Sequence, residues 1–105
     1  MLCTHILLEA AQEEYESSLR WYVVSSEQSA VNYIGAIDVT FESICDYPAR
    51  WRNKYKDFFE LGVKKYPYTI IYTIESQNKL IIVHSIFHHK RNPFKKCNKT
   101  VWIIS

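Results

Sequence analysis

The sequence predicts an α+β domain in which a helical hairpin packs on a small, antiparallel-dominated sheet, in the order β-α-α-β-β-β. Apolar residues recur at helical spacing in the first half of the chain, whereas the second half alternates apolar with polar residues and is rich in β-branched and aromatic types. With 105 residues, 48% of them hydrophobic, the chain can enclose one core. We expect a single domain over residues 1–105, with its core at about 4–94 and a C-terminal tail at 95–105.

The chain begins with a predicted strand and helix. The apolar segment from Thr4 to Leu8 predicts the strand. Apolar residues at positions 11, 15, 19 and 22 then follow one face of a helix that starts at Glu9 and runs to about Val24. The next four residues, 25–28, resemble a capping box in which Ser25 caps the start of a second helix.

The second helix is predicted by apolar residues spaced four, three, four and three apart, which are Ala30, Ile34, Ile37, Phe41 and Ile44. It should end near Tyr47-Pro48, because proline disfavours the helical conformation in the residue before it. The tight connection between the two helices predicts an antiparallel hairpin.

The hydrophobic period changes to two in the second half of the chain. Residues 59–63 alternate as in a strand, residues 68–74 have the β-branched and aromatic content of a central strand, and residues 80–87 form the next strand after a turn. Sequential hairpins imply an antiparallel sheet with the helices on one face. The basic segment at 50–56 is interpreted as a loop, and residues 102–104 fit either an edge strand or a loose tail.

Charge is distributed unevenly along the chain. Residues 1–46 hold one Lys or Arg and eight Asp or Glu, which gives −7, whereas residues 47–105 hold twelve and three, which gives +9. This asymmetry indicates either a basic surface for a polyanion or an acidic partner, or two halves that neutralise each other in the fold. The sequence leaves both interpretations open.

Several classes of protein are disfavoured by missing signals. Three scattered cysteines without a CxxC pair favour neither a disulfide framework nor a zinc site. No apolar run approaches the ~20 residues of a membrane span, and the N-terminus lacks the pattern of a secretory signal. No phosphate-binding loop, GxSxG or HExxH motif is present in the sequence. We therefore expect a cytoplasmic protein with no cofactor and no membrane partner.

The most distinctive segment is the basic stretch at 88–99, which begins with His88-His89. Either histidine could act as a general acid or base, but successive strand residues point to opposite faces, so at most one of them faces a given site. His84 is interpreted as a packed sheet residue. A metal site is disfavoured because no third ligand has suitable spacing. The alternative for the whole stretch is a solvated basic tail.

Four segments together resemble the RelE/ParE superfamily of toxins from bacterial type II toxin–antitoxin (plasmid stabilisation) modules. Residues 9–14 with Trp21-Tyr22 are similar to its first helix, and residues 44–48 to the second helix running into its proline. Residues 66–72 resemble its aromatic-Pro-Tyr-x-Ile-x-Tyr strand, and residues 86–93 its last strand and exit. The resemblance implies the fold predicted above and a toxin that is covered by a cognate antitoxin.

The superfamily has two functional branches. RelE-like members are ribosome-dependent endoribonucleases (mRNA interferases), whereas ParE-like members inhibit DNA gyrase. The ribonuclease branch carries an arginine near the position of Tyr68 and a C-terminal His-Tyr or Arg-Tyr pair, and this chain has Tyr68 and His88-His89 instead. The resemblance therefore favours a non-enzymatic, ParE-like toxin. The alternatives are a ribonuclease and a non-toxic member that only binds its antitoxin.

The resemblance to the superfamily implies three sets of site residues. An antitoxin would occupy the groove between hairpin and sheet, against Phe58 and Leu61. The gyrase or ribosome and mRNA target would contact the cations Arg52, Lys54, Lys64, Lys65, Lys90, Arg91 and Lys95. In a ribonuclease, His88, His89 and Arg91 would be catalytic, with Lys64, Lys65 and Arg52 stabilising the phosphate. The assembly would be a homodimer or a toxin–antitoxin hetero-oligomer.

Overall fold

The computed structural model describes residues 4–89, in which two helices pack on a five-stranded mixed sheet. The elements are β1 (Thr4–Leu7), α1 (Glu9–Ser25), α2 (Glu27–Asp46), β2 (Arg52–Tyr55), β3 (Phe58–Gly62), β4 (Tyr68–Glu75) and β5 (Leu80–His88). The strand order is β1-β5-β4-β3-β2, with β1 parallel to β5 and the other neighbours antiparallel. The predicted α+β class is confirmed, with one strand more than expected.

The additional strand is β2, which lies where the sequence predicted a basic loop. All four of its residues are exposed, so no apolar alternation marks it in the sequence. It pairs with β3 at the sheet edge, Arg52 opposite Glu60, and the register shifts between Asn53 and Tyr55. The loop prediction was wrong for these residues because an edge strand is held by backbone pairing and needs no buried side chains.

Ser26 alone connects the two helices. Its amide donates to the Tyr22 carbonyl at the end of α1 (3.0 Å), and its side-chain oxygen accepts from the Ser29 amide at the start of α2 (3.0 Å). The cap is therefore one residue later than the predicted Ser25 cap. Because one residue serves both helices, the hairpin has little freedom to open at this end.

The core is centred on Tyr33, which the predicted apolar stripe of α2 omitted. Tyr33 is 0% exposed, and its ring lies 4.7 Å from that of Tyr22, 5.8 Å from that of Tyr66 and 5.4 Å from that of Tyr68. Burial raises the pKa of Tyr33 well above its ordinary value of 10.0. This aromatic cluster joins α1, α2 and the beginning of β4.

Two hydrogen bonds fasten the exit of α2 to its surroundings. The Tyr72 hydroxyl on β4 donates to the Pro48 carbonyl (2.6 Å), and the Trp51 indole donates to the Ser43 carbonyl (3.2 Å). They place the segment after α2 against the buried face of the sheet, so that β2 can pair with β3.

One thiol differs from the sequence-based expectation. Cys45, near the end of α2, is disulfide-bonded, although the sequence favoured no disulfide. Cysteine spacing alone does not reveal which thiols the fold brings together. The other two cysteines, Cys3 and Cys97, lie outside the described residues, as do the tail at 95–105 and its segment 102–104.

Glu14 connects α1 to the edge of β5. β1 pairs with β5 from Leu80 to Val83. Beyond this point the Glu14 carboxylate accepts hydrogen bonds from the free edge of β5. It accepts hydrogen bonds from the Ser85 hydroxyl and the Ile86 amide, both at 2.9 Å. Both donors belong to buried residues, so the carboxylate satisfies groups that water does not reach.

We predict that Glu14→Ala lowers the free energy of unfolding by about 2–3 kcal/mol, because it leaves two buried donors without an acceptor. Chemical denaturation monitored by circular dichroism measures the change. The matched control is Glu13→Ala on the exposed side of α1, which should change stability by less than about 0.5 kcal/mol. Equal losses for the two variants would contradict the bridging role of Glu14.

We predict that Gly35→Ala raises the free energy of unfolding by about 1 kcal/mol, because glycine in a helix interior is less favourable than alanine. A Cβ added to Gly35 would meet no atom within 4 Å, so no clash offsets the gain. Thermal unfolding of the two proteins tests this, and a lower midpoint for the alanine variant would refute it.

Candidate functional site

The candidate site lies at the end of the sheet where β3 stops, β4 begins and β5 stops. A tight turn joins β3 to β4: the Tyr66 amide donates to the Val63 carbonyl (3.1 Å), and the Val63 amide donates to the Tyr68 carbonyl (2.9 Å). Lys64 and Lys65 occupy the centre of this turn and are exposed. Lys65 has a φ of 71°, a left-handed conformation that glycine adopts more readily.

The two histidines at the end of β5 diverge, as strand alternation predicted. His88 lies opposite Tyr68, and their rings meet edge to face at 4.9 Å. His89 contacts the next residue of β4, since its Nε2 lies 2.6 Å from the Thr69 hydroxyl. The His89 amide also donates to the Pro67 carbonyl (2.9 Å), which joins the end of β5 to the loop that carries Lys64 and Lys65.

Two cations of the edge strand β2 form ion pairs with one carboxylate. Glu60 on β3 lies 3.4 Å from the Arg52 guanidinium and 3.5 Å from the Lys54 ammonium. The Arg52 side chain remains 80% exposed, so this ion pair is a weak surface interaction. Both ion pairs lie within the basic half of the chain and do not join the acidic helices to the basic strands.

Arg52 and Lys54 lie beside Glu60 on the edge strand, with Lys54 toward the β2–β3 turn. The fold brings three predicted residues to the end of the sheet where β3 and β5 stop, which we name the cationic end: Lys64, Lys65 and His89. Their side chains present positive charge and one exposed imidazole, an arrangement that suits an anionic surface of a macromolecule. The sequence offered no signal for Glu60 or Thr69, because their roles depend on cross-strand pairing. The predicted residues Lys90, Arg91 and Lys95 lie outside the described residues.

Phe58 and Leu61, the predicted antitoxin contacts, are not brought together. Leu61 lies opposite Ile70 and packs partly buried against the core, on the helix side of the sheet. Phe58 points to the other face, where its ring lies 4.9 Å from that of His84. Of this pair, therefore, only Leu61 lies on the side of the sheet where the hairpin packs, because residues three apart on a strand face opposite ways.

His84 is a packed sheet residue, as the sequence predicted. Its Nε2 lies 2.9 Å from the Thr73 hydroxyl, and burial lowers its pKa below the ordinary value of 6.5. Between residues 4 and 89, no three His, Cys, Asp or Glu side chains are grouped closely enough to hold a metal ion. Neither helix in this part of the chain has the length and apolar content to cross a membrane.

We predict that the lowered pKa of His84 makes stability depend on pH. The unfolded chain binds a proton at His84 more readily than the folded chain does. The stabilising contribution of neutral His84 is therefore complete above pH 6.5 and is lost as the pH falls through the folded-state pKa. The midpoint of thermal unfolding should therefore differ less between about pH 7.5 and about pH 5.5 in His84→Gln than in the wild type. His89→Gln, at an exposed position, is the control, and an unchanged slope in His84→Gln would contradict the prediction.

Comparisons with known proteins agree with this architecture. The family described as "ParE toxin of type II toxin-antitoxin system, parDE" matches residues 6–93. The fold is similar to a solved structure titled "Chromosomal ParDE TA system from P. aeruginosa", with a TM-score of 0.67 and 12% sequence identity, over 82% of this chain and 95% of that chain. No curated protein matches the sequence.

The structural similarity, at 12% identity, concerns the fold alone. The family match spans most of the chain and includes both helices and all five strands, apart from the first two residues of β1. The chain therefore belongs to the ParE toxin family of type II toxin–antitoxin systems, within the RelE/ParE superfamily.

Proposed function

We propose that this protein is a ParE-like toxin that inhibits growth by binding a macromolecular target through the cationic end, with DNA gyrase as the first candidate. The observation that carries this proposal is that His89 lies beside the turn of Lys64 and Lys65, because its amide donates to the Pro67 carbonyl at the end of that turn. Arg52 and Lys54 add positive charge on the β2 edge of the sheet, where both pair with the Glu60 carboxylate. Family membership supports a toxin, and the charge supports an acidic or nucleic-acid-bound surface as its contact.

Tyr68 supports a non-enzymatic mechanism. It occupies the position where the resemblance predicts an arginine in the ribonuclease branch, and it is only 1% exposed. Its ring packs against Tyr33 in the core, so this position stabilises the fold and offers no charge to a phosphate.

A ribosome-dependent ribonuclease is the alternative. His89 is exposed and lies beside the loop of Lys64 and Lys65, so it is the better placed histidine for proton transfer. Such a reaction uses both an acid and a base, and His88 points to the opposite face of the strand. The second proton carrier would have to come from elsewhere.

We further propose that a cognate antitoxin neutralises the toxin by occupying the groove between hairpin and sheet. Leu61 and Phe59 are partly buried on the helix side of the sheet, where Phe59 stacks on Tyr72 at 5.6 Å. An amphipathic segment of the antitoxin would bury its apolar residues against them. Phe58, on the other face, should not contribute.

The experiment is induced expression of the chain in bacteria, followed by two assays. A gyrase inhibitor should block supercoiling of relaxed plasmid by purified gyrase, with no cleavage of messages in primer extension. Cuts at regular codon positions with unaffected supercoiling would instead identify the ribonuclease. Normal growth, with the protein folded and abundant, would indicate a non-toxic member.

We predict that Lys64→Glu/Lys65→Glu reduces growth inhibition by at least about tenfold, because it reverses the charge of the exposed turn at the cationic end. Lys79→Glu is a matched control: Lys79 is also an exposed turn lysine with a positive φ, of 52°, but it lies at the opposite end of the sheet. Plating efficiency after induction measures both variants, and circular dichroism confirms folding. Equal inhibition by the two variants would place the target contact elsewhere.

A further inference from the structure

Helix α2 turns one face away from the core, and this face has an apolar centre. Val31, Gly35 and Val39 are spaced four residues apart and so form one ridge along the helix. Val31 is 56% exposed and Val39 is 61% exposed, while the residues that α2 buries lie on the opposite side. Two valines aligned on a ridge differ from scattered surface apolar residues, which need no explanation.

Gly35, in the middle of the ridge, is not explained by packing within the described chain. A Cβ at this position would meet nothing within 4 Å, and its φ is not positive, so neither space nor backbone conformation requires glycine. Glycine also weakens a helix interior relative to alanine. The missing side chain would benefit a partner whose backbone crosses α2 at this point.

The charges beside the ridge identify the chemistry of that partner. α2 contains Glu27, Asp38, Glu42 and Asp46 and no lysine or arginine. Asp38 and Glu42 are exposed next to the ridge. A second copy of α2 would place carboxylates against carboxylates, whereas a helix with flanking cations would pair with them.

We propose that the ridge Val31–Gly35–Val39, with Asp38 and Glu42, is a docking surface for an amphipathic helix of a partner protein that carries Lys or Arg beside its apolar residues. The apolar side of that helix packs against Val31 and Val39, and its backbone crosses at Gly35. Its cations pair with the two carboxylates. This surface faces away from the sheet, so it is separate from the cationic end and from the groove at Leu61.

A designed helical peptide provides the probe. It carries leucine and alanine at spacings of three and four with lysines on both flanks, and a matched peptide has glutamate in place of each lysine. Fluorescence anisotropy with the purified full chain should show saturable binding of the lysine peptide only. Val39→Asp should weaken that binding by about tenfold or more, whereas Val24→Asp, on α1 at an 86% exposed position, should leave it unchanged.

Two further variants separate docking from folding. Gly35→Leu adds its Cβ at an exposed position where no atom lies within 4 Å, and it improves helix propensity. Its thermal midpoint should therefore be at least that of the wild type, while peptide affinity falls about tenfold. Asp38→Lys/Glu42→Lys should reverse the preference toward the glutamate peptide. Equal binding by the wild type and Gly35→Leu would overturn the proposal, as would a concentration-dependent dimer that Val39→Asp abolishes.

Discussion

The burial of Tyr33 between the helices and the sheet is the constraint on which the rest of the structure depends. Its ring contacts Tyr22 from α1, Tyr66 from the β3–β4 turn and Tyr68 from β4. Aromatic contacts at such distances combine large buried area with a preferred geometry. They set where the hairpin sits and where the turn with its two lysines emerges. Tyr68 in turn meets His88, so the end of β5 is positioned by the same cluster.

This packing separates the charges of the chain into different surfaces. The acidic first half forms the hairpin, and the basic second half forms the edge strand and the turns of the sheet. Within residues 4–89, the ion pairs of Arg52 and Lys54 with Glu60 stay inside the basic half. A molecule with two faces of opposite sign can attract one partner by each face.

Local patterns predicted the elements that have a regular buried face. The stripes of α1 and α2 and the runs at 68–74 and 80–87 became the expected helices and strands. Prediction failed at β2, whose exposed residues carry no periodic signal, and at Tyr33, which lies beside the stripe that was read from α2. The disulfide of Cys45 was also missed, because cysteine spacing does not reveal which thiols the fold brings together.

The amino-acid sequence alone determines the helix and strand periods, the charge asymmetry and the family resemblance. Each of these depends on composition or on residues within a few positions of one another. Long-range contacts decide the parallel pairing of β1 with β5 and the bridge from Glu14 to Ser85. They also decide the meeting of His89 with the turn of Lys64 and Lys65. The separation of Phe58 from Leu61 across the sheet likewise emerged only once strand register placed each side chain on a face. Register is set by pairing between distant segments, and no single segment encodes it.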